Sequence, residues 1–313
     1  MLQKAVRLTG LALALLLFVI SMSYMDAGAR AATEPTPTLE PISDPVLGDV
    51  NLEAIEQIDL STFPIIPEIS MRARVIYQDG LARGNDPHTF IKVGDCMTHN
   101  PYFLIPIGEG EYDLGDYQQL LATIQYFSEA DLNSFSHVSQ AAAGGFNTAS
   151  VLDNLWANPE FCEAGESPLS CEIRMMHPSI ALIMFGTNDV FYLDETQFDF
   201  FYRSIVVTTI RNGILPILST FPQRPEFPEK SVLYNQLVAQ IAQDYDIPLI
   251  NLWLALEPLP DNGIDPSDST HMSTPDNGAT CYFIGPNLQA GFTVRNLLTL
   301  QTLDVVLHAV ELE

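Results

Sequence analysis

Short apolar runs alternate with longer amphipathic stretches from about residue 70 to the end of the chain. Four runs are mostly apolar and have the length of buried strands: residues 89–93, 179–185, 214–218 and 248–252. Other stretches repeat apolar residues at helical spacing, which predicts helices over residues 71–83, 117–127, 196–212, 232–245 and 287–310. Apolar strands separated by helices predict an α/β fold, a three-layer α/β/α sandwich with a parallel central sheet.

The N-terminal residues have the pattern of an export signal. Lys4 and Arg7 precede an apolar run, and small residues at positions 27–31 fit a cleavage site. We therefore expect a secreted, extracellular protein whose signal peptide spans residues 1–31. An uncleaved membrane anchor is the alternative, because residues 8–25 carry no charge. In either case, only this segment would contact a membrane.

The rest of the chain divides into a spacer and one predicted domain. Prolines recur among threonine and glutamate in residues 33–45, which is typical of an extended linker. We assign residues 32–67 to a Pro/Thr-rich spacer and lead-in, and residues 68–313 to the domain. Ser70 and Gly84 are placed to cap the first helix of that domain.

Composition narrows the classes of partner. The formal net charge is −26, from 39 acidic and 13 basic side chains, and 47% of residues are hydrophobic. The apolar fraction suffices for one sizeable core. The negative field argues against a nucleic-acid partner and suits solubility outside the cell.

The four cysteines predict a local disulfide. Cys162 and Cys171 lie nine positions apart in a loop-like stretch, and an exported chain meets an oxidising compartment. We predict that they pair with each other, which leaves Cys96 and Cys281. No CxxC motif or histidine-rich cluster suggests a metal site, and no cofactor is implied.

Candidate chemistry lies in three loops and one segment near the C-terminus. Ligands bind at the carboxyl ends of parallel strands, so the loops there are the place to look. Polar or small residues concentrate in four segments: residues 94–98 (Gly-Asp-Cys-Met-Thr), 142–148 (Ala-Ala-Gly-Gly-Phe-Asn-Thr), 186–189 (Gly-Thr-Asn-Asp) and 268–271 (Asp-Ser-Thr-His). In the first, Cys96 is expected at a helix N-terminus, where the dipole favours a thiolate.

These four segments, in this order, resemble the signature blocks of the SGNH (GDSL) hydrolase superfamily, a flavodoxin-like fold. The resemblance covers roughly residues 88 to 300. It implies that position 96 is the nucleophile, His271 the general base and later the acid, and Asp268 the residue that orients the imidazole. The resemblance also implies an oxyanion hole made by the backbone N–H of residue 96, the backbone N–H of Gly145 and the side-chain amide of Asn188, with Gly144 as the alternative glycine.

The chain departs from this superfamily at one position, because Cys96 stands where the family has serine. The resemblance implies an exported acyl-ester hydrolase or acyltransferase that forms an acyl-enzyme and acts on a small-molecule or carbohydrate ester. Acetylated polysaccharides, simple esters and lipids are all candidate substrates. Two alternatives stay open: an inactive glycan- or ester-binding protein on the same fold, and a site blocked by a Cys96–Cys281 disulfide. A structural surface protein is a third rival.

Overall fold

A parallel sheet of four strands forms the centre of the fold. The computed structural model describes residues 39–311, so the predicted signal peptide lies outside the described residues. The strands are β1 (Asp86–Gly94), β2 (Pro178–Met184), β3 (Leu215–Ser219) and β4 (Leu249–Ile250), in the order β1-β2-β3-β4. Two further strands, β5 (Ile264–Asp265) and β6 (Asp268–Met272), form a separate antiparallel pair.

Helices connect the strands. The α-helices are α1 (Leu52–Ile55), α2 (Met71–Arg83), α3 (Cys96–His99), α4 (Ile105–Gly108), α5 (Leu121–Tyr126), α6 (Pro168–Met176), α7 (Asp189–Tyr192), α8 (Glu195–Arg211), α9 (Pro228–Tyr245), α10 (Leu252–Leu256) and α11 (Gly291–Glu311). Short 3-10 helices span Leu60–Thr62, Gln118–Leu120, Ser150–Leu152, Asn154–Trp156, Pro260–Gly263 and Gly285–Gln289. No helix within residues 39–311 is long and apolar enough to cross a membrane.

The helices form two groups that sandwich the sheet. Helix α2 contacts α11, β2 and β3, whereas α8 and α9 contact each other and β3. Every residue of β2 and β3 is buried, as expected for strands covered on both faces. The predicted three-layer α/β/α fold with a parallel sheet is therefore confirmed.

Capping explains where the first domain helix begins and ends. The Ser70 hydroxyl accepts the N–H of Ala73 at 3.1 Å, and Gly84 adopts a left-handed conformation with φ of 96°. Both residues act as the sequence predicts. The last strand is shorter than predicted, because Asn251 caps α10 and ends the extended backbone after Ile250. The final helix begins at Gly291, since a 3-10 turn precedes it.

Residues 39–67 pack against the domain predicted to begin at residue 68. Ile55 and Leu60 are buried in the same core as the strands. The Asn251 side chain donates to the carbonyl of Leu60 at 2.8 Å and to that of Phe63 at 3.1 Å. This lead-in therefore covers the end of β4 before the chain enters α2.

Candidate active site

A tight turn at the end of β1 places Cys96 at the start of α3. A Cβ at position 94 would lie 2.5 Å from the carbonyl oxygen of Met184 and would also collide with Thr98, so only glycine fits. The buried Asp95 side chain then caps α3 by accepting the N–H of Met97 at 2.9 Å. The glycine turn and the Asp95 cap together thus determine the position of Cys96 at the start of α3.

The thiol of Cys96 is held in its protonated form. Burial and the negative charge of Asp95 raise the pKa of Cys96 to about 12, despite the opposing effect of N–H donors at the turn and of Arg224. The amides at the helix N-terminus do favour the thiolate, as the sequence predicts, but the desolvation of the sulfur outweighs them. A single turn of helix contributes too little to offset the desolvation of a half-buried sulfur.

Hydrogen bonds join the glycine loop to the Cys96 turn and to the end of β2. The N–H of Gly94 donates to the carbonyl of Ala141 at 3.1 Å, and residues 94 and 142 form a parallel bridge. The buried carboxylate of Asp189 accepts the N–H and the hydroxyl of Thr148, at 2.8 and 2.7 Å, and the N–H of Gly186 at 3.0 Å. Three of the four predicted segments are thus one connected structure.

Two of the three predicted oxyanion donors, Asn188 and Gly145, lie in these connected loops. The Asn188 amide donates to the carbonyl of Phe146 at 2.7 Å, which holds it beside the glycine loop and leaves its second N–H free for a ligand. Gly145 adopts a left-handed conformation with φ of 84°, and its N–H donates to no group among residues 39–311. A left-handed glycine with a free N–H has the features required of an oxyanion donor.

Asp268 and His271 form a hydrogen-bonded pair on β6. The Asp268 carboxylate lies 2.7 Å from the His271 Nδ1, and this bond is the main cause that lowers the pKa of Asp268. The segment is a strand rather than the predicted loop, because it pairs with β5. Strand β6 contacts α3, the helix that begins with Cys96. The fold therefore brings the fourth predicted segment next to the helix that begins with Cys96.

The structure contains one of the two disulfides considered from the sequence. Cys162 and Cys171 form the predicted disulfide, although Cys171 lies in α6 rather than in a loop. Cys96 and Cys281 are free thiols, so the structure does not contain the Cys96–Cys281 disulfide that the sequence left open. Cys281 is buried, and its sulfur lies 3.3 Å from the Asn296 amide nitrogen.

One group of potential metal ligands lies close together within residues 39–311. It consists of Cys162, Glu166 and Cys171. The disulfide uses both of its sulfurs, so the group offers no thiolate pair to a metal ion.

Two buried arginines near the site were not identified from the sequence. Arg295 on α11 donates to the carbonyl of Met97 at 2.7 Å and to the hydroxyl of Thr98 at 2.9 Å, which fixes α3 from behind. A lone cation among the apolar residues of a long helix was the signal that could have revealed it. Arg224 lies in a proline-rich segment after β3 that has the composition of an exposed loop, and no local pattern marks it as buried.

Several solved structures are similar to this chain. They include esterase EstA from Pseudoalteromonas sp., at 13% identity over 71% of this chain and 99% of that one, with a TM-score of 0.45. The lipase/acylhydrolase from Enterococcus faecalis is 17% identical over 68% and 93% of the two chains, with a TM-score of 0.46. A GDSL-like lipase from Bacteroides thetaiotaomicron is 14% identical over 75% and 98%, with a TM-score of 0.40. No family model and no curated protein matches the sequence.

Proposed function

We propose that this protein hydrolyses or transfers acyl groups from esters outside the cell, with Cys96 as the nucleophile. The observation that carries the proposal is the Asp268–His271 pair, at 2.7 Å, on a strand that contacts the helix beginning with Cys96. A histidine oriented by a carboxylate beside a nucleophile is the arrangement that acyl transfer requires.

The protonated state of Cys96 gives His271 a defined task. With its Nδ1–H bonded to Asp268, the imidazole keeps the Nε2 lone pair free to accept the thiol proton as the sulfur attacks the ester carbonyl. Because the pKa of Cys96 is raised to about 12, the attack depends on this proton transfer. The positive imidazolium that forms is then stabilised by Asp268.

The donor groups act on the tetrahedral intermediate. Negative charge develops on the carbonyl oxygen, where the N–H groups of Cys96 and Gly145 and the amide of Asn188 would bind it. Collapse of the intermediate breaks the ester C–O bond, and His271 gives its proton to the departing alcohol. The product is a thioester on Cys96. A water molecule, deprotonated by His271, attacks that thioester; the C–S bond breaks, the acid is released, and His271 returns the proton to the sulfur of Cys96. An acceptor alcohol in place of the water completes a transfer.

The proposed location and substrate class rest on two less specific features, the disulfide and the net charge. A disulfide between Cys162 and Cys171 is typical of proteins outside the reducing cytosol. The net charge of −26 disfavours nucleic acid and anionic membranes as partners. We therefore propose a small-molecule or carbohydrate ester as the substrate.

The raised pKa of Cys96 favours one rival function. A thiol that stays protonated and half-buried is a weak nucleophile, so the same site would bind an ester or a glycan without cleaving it. This rival shares the fold and the donor groups, and only turnover separates the two functions.

Hydrolysis of p-nitrophenyl acetate tests the proposal. We expect the wild type to release p-nitrophenol and, when turnover is stopped early, to carry one acetyl group on Cys96. We expect Cys96→Ala to be inactive. Cys281→Ser, which removes the other free thiol, is the matched control and should keep full activity. Equal slow rates in the wild type and Cys96→Ala would reject the enzyme and leave the binding function. A gain of activity in Cys96→Ser would show an otherwise intact site that prefers oxygen.

A further inference from the structure

Arg224 is a buried cation at the same edge of the sheet as Cys96. It lies between β3 and α9, and only 5% of its side chain is exposed. Its Nε is buried without an acceptor among residues 39–311, and its guanidinium packs over the ring of Phe191 at 5.0 Å. The nearest acidic partner, Glu226, lies 3.4 Å away and is 43% exposed, so water screens the pair on one side only.

The guanidinium is attached to the strand that carries the base. Its Nη1 donates to the carbonyl of Ser269 at 3.1 Å, the residue that follows Asp268. Glu226 accepts the Ser269 hydroxyl at 2.5 Å, so both side chains of this segment bind the same residue of β6. Together they tie Ser269, the neighbour of Asp268 on β6, to the segment that follows β3.

The guanidinium is also linked to the turn of Cys96, because Ser269, which it binds, lies on β6, and β6 contacts α3, the helix that begins with Cys96. Among the groups around the sulfur of Cys96, Asp95 from its own turn disfavours negative charge, whereas Arg224 favours it. Arg295 on α11 also interacts with Cys96, and the Asp268–His271 pair approaches on β6. Arg224 is thus a cation that touches the base strand and also influences the nucleophile.

We propose that Arg224 is a positioning residue of this site, which holds β6 through Ser269 and stabilises negative charge on the sulfur of Cys96. The proposal deepens the proposed function and rests on it for the role of β6. The electrostatic part concerns the reactivity of the sulfur alone, so it is testable without ester turnover.

Alkylation of Cys96 measures this effect. In the Cys281→Ser background at pH 8.5, we expect Arg224→Gln to react with iodoacetamide at least about threefold more slowly than wild type, because less thiolate is present. The preference for anionic iodoacetate over neutral iodoacetamide should fall as well, because the local positive charge is lost. Arg224→Lys keeps the charge and should retain both values within about twofold.

Glu226→Gln provides a second test that does not disturb the core. It removes the exposed partner of Arg224, so both the alkylation rate and the iodoacetate preference should rise. Arg83→Gln and Glu129→Gln are the matched controls, since each changes one surface charge near the opposite edge of the sheet.

Two results would overturn the proposal. One is an Arg224→Gln protein that iodoacetamide alkylates at the wild-type rate, or whose alkylation rate falls no further than that of Arg83→Gln. The other is a Glu226→Gln protein whose alkylation rate and iodoacetate preference change no more than those of Glu129→Gln. This second result decides the matter even if Arg224→Gln fails to fold. An absence of esterase activity combined with the expected alkylation changes would reject the enzyme while retaining the electrostatic role of Arg224.

Discussion

The donor loops and the base hairpin of this site are held in different ways. The donor loops (residues 94–99, 141–148 and 185–189) are joined by backbone pairing and by the fully buried carboxylate of Asp189. The base hairpin (residues 264–272) has two short strands, and its Asp268 and His271 side chains are 49% and 32% exposed.

This difference gives the two regions different physical roles within the proposed reaction. Buried hydrogen bonds make the donor loops part of the fold's stability. The exposed Asp268–His271 pair contributes little to stability, since water competes for its partners. Substitutions in the base hairpin should therefore remove activity from a stable protein, whereas donor-loop substitutions that remove a buried hydrogen-bond acceptor should also destabilise it.

The largest expected effect is loss of activity in His271→Ala. Without its general base, the protonated thiol of Cys96 should lose about 10²- to 10⁴-fold in kcat/KM for p-nitrophenyl acetate. The free energy of unfolding should change by less than about 0.5 kcal/mol, because the side chain is partly exposed. His308→Ala, on the exposed face of α11, is the control and should change neither quantity. A strongly destabilised His271→Ala protein would contradict the division between the two regions.

The next effect in size is the instability of Asp189→Ala. Removal of this carboxylate leaves the N–H and hydroxyl of Thr148 and the N–H of Gly186 buried without an acceptor. We expect the free energy of unfolding, from urea titration, to fall by about 3 kcal/mol. Asp268→Ala is the counterpart in the base hairpin and should lose less than about 1 kcal/mol. Similar losses in the two variants would remove the distinction.

Asn188→Ala sharpens the comparison within the donor loops. Loss of the amide that would bind the oxyanion should reduce kcat for p-nitrophenyl acetate about 10²-fold, while iodoacetamide should still alkylate Cys96 at the wild-type rate. Asn154→Ala removes an amide from a nearby 3-10 helix and is the matched control. Unchanged turnover in Asn188→Ala would mean that this amide serves only its bond to Phe146.

The smallest effect is a pH dependence of stability with opposite signs in the two regions. Burial raises the pKa of Asp95 to about 6 in the folded protein, from 3.8, so the folded state binds the proton more tightly than the unfolded state. The stability that this provides is present below pH 4 and is lost as the pH rises through 6. Asp95→Asn should therefore gain about 1–2 kcal/mol relative to wild type between pH 4 and 7, measured by urea titration.

Asp268→Asn is the control for that measurement. The bond from His271 lowers the pKa of Asp268, so its contribution is lost as the pH falls and should show the reverse sign. A relative stability of Asp95→Asn that stays constant from pH 4 to 7 would contradict the burial of an ionisable group at the turn.

Local sequence signals were most reliable where one residue type has few alternatives. Gly84 and Gly94 marked a helix end and a strand-to-helix turn, and both occupy those places. The disulfide between Cys162 and Cys171 was predicted from their short spacing and from the expected export of the chain. The helix predicted over residues 117–127 was less accurate: it is a 3-10 turn followed by the short helix α5, because periodicity does not distinguish a continuous helix from a broken one.

The pKa of Cys96 and the role of Arg224 could not be predicted from the sequence, because both depend on burial. The position of Cys96 at a helix start was readable, but the desolvation that raises its pKa was not, and neither was the burial of Arg224. A charge and its environment come from different parts of the chain, so no local window contains both.

The order of apolar runs determined the parallel sheet, because strands buried on both faces admit few other arrangements. The spacing of Gly, Asn, Asp and His marked which loops deserve a chemical role. Only the tertiary structure decided that Asp189 binds two loops together, that β6 reaches α3, and that the sulfur of Cys96 keeps its proton. Each of these depends on distances between residues that are remote in sequence, which packing alone fixes.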